Sequence, residues 1–126
     1  MSATSEPRVR AVRGAVTLDE DTKDEVVKAT AELLREVMER NGLMKQDLVS
    51  LVFTATPDIT SEFPAAAARG MGISDIPLLC AQEIDVAGAI PRCIRVLVHA
   101  YTTRDYTSLR HVYLKDARQL RTDLPE

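Results

Sequence analysis

The chain has no excess of positive charge, no long hydrophobic run, no cysteine pair at metal-ligand spacing and no glycine-rich phosphate loop, and each absence removes a class of function. Lys and Arg number 16 against 19 Asp and Glu, a formal net charge of −3 with the signs interspersed. A nucleic-acid binder would instead carry a basic patch or stripe. No apolar run approaches the roughly 18 to 20 residues that a membrane span needs, and the N-terminus has no secretory h-region, so the expected location is the cytoplasm. Cys80 and Cys93 form no CxxC motif and have no second cluster to complete a tetrahedral site, which argues against a metal. In a reducing compartment a disulfide is not expected either. Cys93 reads as a small buried hydrophobe, while Cys80, close to Gln82 and Glu83, stays open as a residue of a polar site. His99 and His111 come with no Ser or Cys nucleophile pattern and read as satisfied structural histidines.

What remains is an ordinary core-forming composition, 45% hydrophobic and 28% charged over 126 residues, which predicts one domain. A domain of this size buries proportionally little of its surface, so partner subunits can complete its core. The stretch from Cys80 to Val98 reads as two strands joined by a Gly/Pro-containing loop. Each strand carries an ionisable residue, Glu83 or Arg95, among apolar neighbours, where an unpaired charge is costly. The pair therefore marks the floor of a polar site.

The rest of the chain supplies the frame. Residues 1–7 read as a mobile leader, 8–117 as the domain and 118–126 as a mobile polar tail. Val9 to Val16 predicts a strand in which Gly14 is a bulge or a point of close approach. Arg13 beside it is a candidate ligand-facing guanidinium, and Arg10 a surface or salt-bridge arginine. Thr22 to Glu25 has capping-box spacing, and Val26, Val27, Leu33, Leu34, Val37 and Met38 recur on one face of the helix that follows, which Asn41-Gly42 ends. Leu48 to Ala55 predicts a strand covered on both faces. Thr56-Pro57-Asp58 turns the chain, and Phe63-Pro64 opens a short helix with Arg69 in its last turn. Strands follow at Ile76 to Ile84, Cys93 to Tyr101 and His111 to Leu114. The order predicts an α/β fold of the α+β, mixed-sheet kind, with helices packed on one face.

Six motifs keep their order and near-constant spacing: RGA from Arg13, ATPD from Ala55, FPA from Phe63, CAQEIDV from Cys80, CIRV from Cys93 and RHVYL from Arg110. Together they resemble the monofunctional, homotrimeric chorismate mutases of the pseudo-α/β-barrel class, over Val9 to Leu124. The resemblance implies rearrangement of chorismate to prephenate in aromatic amino-acid biosynthesis, in sites shared between adjacent subunits, with no cofactor and no covalent intermediate. Arg95 matches the arginine that hydrogen-bonds the breaking ether oxygen, and Glu83 and Cys80 match the pair at the substrate hydroxyl. Arg13 and Tyr113 match residues that hold carboxylate and substrate body. Phe63, Ala65, Arg69, Leu78 and Leu79 fall at lining or rim positions, and Leu120 and Arg121 in a mobile C-terminal segment that closes over the site. Two positions depart from the pattern: Ala66 stands where the family has a lysine, and Leu79 where a threonine is expected. Both bear on substrate affinity rather than on the bond being broken.

The residues agree in kind with that expectation. A pericyclic rearrangement needs no nucleophile, base or metal; it needs a substrate held in its compact diaxial conformer and a donor fixed where charge gathers on the ether oxygen. A preorganised guanidinium meets the second need. The competing reading is a trimeric carboxylate-binding or regulatory module on a similar barrel, without turnover. Glu83 counts against it, since a mere binder of anions gains nothing from a carboxylate in its pocket. A purely structural protein is the third reading.

Overall fold

The computed structural model describes residues 6–120. Strand β1 (Arg8–Thr17) leads into helix α1 (Lys23–Arg40), then β2 (Leu48–Ala55), helix α2 (Ala65–Gly70), β3 (Leu78–Gln82), β4 (Cys93–Thr102) and β5 (Val112–Leu114). Short 3₁₀ turns lie at Lys45–Asp47 and Lys115–Leu120. This is the expected order of elements on a mixed sheet.

Helix α1 begins where Thr22 Oγ1 accepts the Glu25 N–H at 3.2 Å, and it buries Val26, Ala29, Thr30, Leu33, Leu34 and Val37 along one stripe. Only half of the expected capping box forms. The Thr22 N–H is already bonded to the Glu20 carbonyl at 3.2 Å, so the Glu25 carboxylate instead accepts from the backbone N–H groups of Asp19 and Glu20. Asn41 and Gly42 end the helix as expected, Gly42 with a φ of +63° that a side chain would resist. The buried Asn41 amide also ties this end to Arg110, donating to its carbonyl at 2.9 Å and accepting its N–H at 2.7 Å.

The five strands are ordered β3-β2-β4-β1-β5. Central β4 is antiparallel to both its neighbours, while the outer pairs β2/β3 and β1/β5 are parallel. The two strands expected to floor the site are therefore not adjacent, because β2 runs between them. The strand expected over Ile76 to Ile84 is also shorter, and Glu83 follows β3 rather than lying within it. Its N–H still donates to the Ala55 carbonyl at 2.9 Å, which carries the pairing with β2 one residue further.

Both helices pack on one face of the sheet. There Val12, Val16, Phe53, Ile94 and Val98 meet Leu33, Leu34 and Val37. Gly14 pairs with Val96 without a break in register, and a Cβ on it would stand 3.0 Å from Leu33 Cδ1 and 3.1 Å from Val37 Cγ2. The glycine thus marks the close approach of α1 to the sheet, and not a bulge.

Strand β2 was expected to be covered on both faces and is covered on one. Leu51 and Phe53 are buried under the helices, whereas Val52 and Thr54 are half-exposed on the far side, since both helices lie on the same side. Among the described residues the far face carries a small cluster at one end, Ala15, Cys93, Tyr113 and Ala117, against which Leu120 of the last 3₁₀ turn packs. Arg10, expected at the surface or in a salt bridge, is half-buried and lies 5.0 Å from the centroid of the Tyr106 ring, a cation–π contact in place of an ion pair.

Candidate functional site

Strand alternation decides what the uncovered face displays. Gly14, Phe53 and Val96 point to the helices, so Arg13, Ala15, Thr54, Arg95 and Leu97 point away from them. Register brings these five together: Arg95 lies opposite Ala15 on one side and Thr54 on the other, and Arg13 lies opposite Leu97. Tyr113 pairs with Ala15 from β5. With Leu120 they line a hollow of about 330 Å³.

Arg95 Nε stands 2.9 Å from Glu83 Oε2, with 44% of the arginine side chain and 18% of the glutamate side chain exposed. The Thr54 hydroxyl donates to the same carboxylate oxygen. The sequence suggested two charges in apolar strands that floor a polar site. They stand on an open sheet face, paired sideways across β2, where the exposed arginine escapes much of the cost of desolvation. Arg13 is exposed, and its backbone N–H donates to His111 Nδ1 at 2.9 Å. His99 Nδ1 is 3.1 Å from Ser50 Oγ. Both histidines are thus occupied in holding strands, as expected.

Cys93 lies at the closed end of this face and is fully buried; burial pushes its thiol up to about 11, against the opposing pull of the Arg95 guanidinium. Such a thiol stays protonated and shielded at neutral pH. With a disulfide-exchange reagent at pH 8, the native protein should therefore expose one reactive thiol, Cys80, and the denatured protein two. Equal rates for both thiols in the native state would contradict this burial.

A larger hollow of about 650 Å³ runs along the β3 edge, with Phe63, Cys80 and Lys23 among its walls. It holds neither arginine, so the smaller hollow is the better fit to an anion. Leu78 and Cys80 pair with Leu51 and Phe53 and pack toward the core, while Leu79 is on the other side and 61% exposed. Ala65, the first residue of α2, is buried, and Arg69 is exposed on its last turn. A single chain thus brings together Arg13, Glu83, Arg95, Tyr113 and Leu120. It sets Phe63 and Cys80 around a different hollow, and Ala65, Arg69, Leu78 and Leu79 line neither. Arg121 lies outside the described residues.

Sequence reasoning missed two residues. Thr54 faces Arg95 only because β2 and β4 are neighbours, a long-range pairing with no local signal. Asp21 accepts hydrogen bonds from the backbone and hydroxyl groups of both Thr60 and Ser61, between 2.6 and 3.2 Å. It thereby ties the loop that carries Phe63 to the start of α1, and the Ser61 hydroxyl above all holds its carboxyl below the usual range. Among the described residues no three His, Cys, Asp or Glu side chains converge as metal ligands would.

Two guanidinium groups, one of them paired with a tethered carboxylate, thus share one hollow on a one-domain α/β scaffold, an arrangement whose charge suits an anion. The model of the chorismate mutase type I family matches residues 9–124. The chorismate mutase AroH of Thermus thermophilus is 47% identical over 117 residues, 92% of this chain and 96% of the relative. That of Bacillus subtilis is 39% identical over 117 residues, 92% of each. The solved structure of a chorismate mutase from Clostridium thermocellum superposes with a TM-score of 0.86 at 45% identity, covering 87% of this chain and 98% of that one. The chain belongs to the type I chorismate mutase family, and its activity is that of an isomerase.

Proposed function

We propose that chorismate is rearranged to prephenate on the open sheet face, with Arg95 donating to the ether oxygen, Glu83 at the substrate hydroxyl, Arg13 and Tyr113 holding carboxylate and ring, and Cys80 reaching the hydroxyl from a neighbouring subunit. The observation that carries this reading is Arg95, whose guanidinium is paired with Glu83 while 44% of its side chain stays exposed, and which lines the hollow. As the ether bond lengthens, negative charge grows on its oxygen, and a donor already oriented there lowers the barrier more than it tightens ground-state binding. Arg13 supplies the second cation that a dicarboxylate needs.

The site is completed by a neighbouring subunit of a homotrimer, the pseudo-α/β-barrel, in this reading. Phe63 and Leu79 are exposed, and Arg69 is exposed and remote from the Arg13/Arg95 hollow within its own chain, as groups serving a neighbour's site would be. An uncovered sheet face with Val52 and Leu97 on it also calls for a partner. Leu120 and Arg121 form the segment that covers the bound substrate. No helix of the described residues is long and apolar enough to cross a membrane, and we place the enzyme in the cytoplasm.

Chorismate absorbance followed during dilution of the protein, with light scattering on the same samples, tests this. Turnover should track the trimer, and acid should convert the product to phenylpyruvate. A fully active monomer at micromolar concentration would overturn the shared site.

A further inference from the structure

We propose that Thr54 is a positioning residue for the rearrangement, acting through Glu83 to keep the Arg95 guanidinium presented to substrate. The inference rests on the site reading above and goes one residue beyond it.

Three side chains meet at one oxygen. Glu83 Oε2 stands 2.9 Å from Arg95 Nε as an ion pair and accepts from the Thr54 hydroxyl. Glu83 Oε1 has no partner among the described residues and is left for a substrate hydroxyl. The backbone reinforces the arrangement: Thr54 is the β2 residue opposite Arg95, and the next residue, Ala55, accepts the Glu83 N–H at 2.9 Å. The glutamate is thus gripped twice by consecutive residues of one strand, once through its backbone and once through its carboxylate.

That grip matters because of what an unheld carboxylate does. Left to itself, a carboxylate beside a guanidinium favours the bidentate fork, two parallel bonds that engage a terminal nitrogen as well. Glu83 follows the last residue of β3, an edge strand, whereas Arg95 stands in central β4, so the carboxylate is on the less firmly bonded backbone. By occupying one lone pair of Oε2, Thr54 disfavours the swing into the fork. Arg95 then keeps its terminal nitrogens for the ether oxygen, and Glu83 keeps Oε1 for the hydroxyl. Removing the Thr54 hydroxyl should turn the pair into a self-satisfied salt bridge that competes with the transition state.

The test is a double-mutant cycle on the full-length protein with chorismate. Thr54→Val keeps the branched shape on a half-exposed strand position, so the fold and assembly should survive. The hydroxyl is one hydrogen bond to a charged group, and its loss should lower kcat about 10- to 100-fold. KM should change less than about threefold, and Thr54→Ser should recover kcat to within about threefold of the parent. In a Glu83→Ala background, adding Thr54→Val should change kcat by less than about twofold, because there is no carboxylate left to hold.

A Thr54→Val enzyme within about threefold of the parent kcat overturns the proposal. So does an equal loss in both backgrounds, which would make Thr54 a structural residue only. If the valine variant does not assemble, Thr54→Ala carries the same expectations. Failure of the underlying site reading gives a different signature: Arg95→Lys and Glu83→Ala would themselves leave kcat unchanged.

Discussion

Arg95→Lys should leave a folded, assembled protein whose kcat is reduced at least about 100- to 1000-fold, roughly 2.7 to 4 kcal/mol of lost transition-state stabilisation. Positive charge is conserved in this substitution; division of labour is not. The guanidinium uses Nε for Glu83 at 2.9 Å and has further nitrogens, in a rigid plane, for the substrate. A lysine has one ammonium for both tasks, and the permanent neighbour, Glu83, outcompetes an oxygen that becomes negative only at the transition state. KM should change much less, because the ground-state ether oxygen is a weak acceptor. Circular dichroism and light scattering establish the fold and assembly, and chorismate absorbance the rates. A folded variant with kcat within about threefold of the parent, under ~1 kcal/mol of barrier, would remove Arg95 from the reaction.

Phe53→Ala should act on stability instead. Phe53 is fully buried in β2, paired with Cys80 of β3 and Val96 of β4. Truncating such a ring to a methyl group removes its transfer free energy and leaves a cavity under the middle of the sheet, together about 3 to 5 kcal/mol. Against a total stability of roughly 5 to 15 kcal/mol this is a large fraction, and calorimetry should show Tm lowered by on the order of 10 °C or more. Well below the new Tm the variant should still turn over chorismate, since Thr54, Glu83 and Arg95 lie on the opposite face from the cavity. A Tm within about 2 °C of the parent would mean that the core closes around the gap, or that subunit association dominates the melting.

How far the sequence could be read depended on the range of the interaction. The apolar stripe of α1, its end at Asn41-Gly42 and the alternation of Ile94, Val96 and Val98 are local patterns, and all appear where expected. Spatial order is a long-range property. The sequence shows that β3 and β4 are consecutive but not that β2, which reads as a doubly covered strand, is inserted between them with one face bare. The same gap explains the site: Arg95, Glu83 and Arg13 stood out by their chemistry and Tyr113 through the family pattern, but Thr54 looked like one more β-branched residue in LVSLVFTA. Ala65 and Leu78 were assigned through the family pattern, and neither burial nor side-chain direction within one chain could be read from the motif.

The place of β4 in the sheet has a consequence for how the site comes apart. Backbone amides of β4 are bonded on both sides, to β1 and to β2, so this strand should exchange its hydrogens with solvent only when the whole domain opens. Glu83 hangs from β3, which is bonded to one neighbour only and can fray with much less work. As temperature rises, the carboxylate therefore lets go before the guanidinium moves. The cation that meets the breaking bond is mounted on the last part of the molecule to melt, and its counter-ion on one of the first.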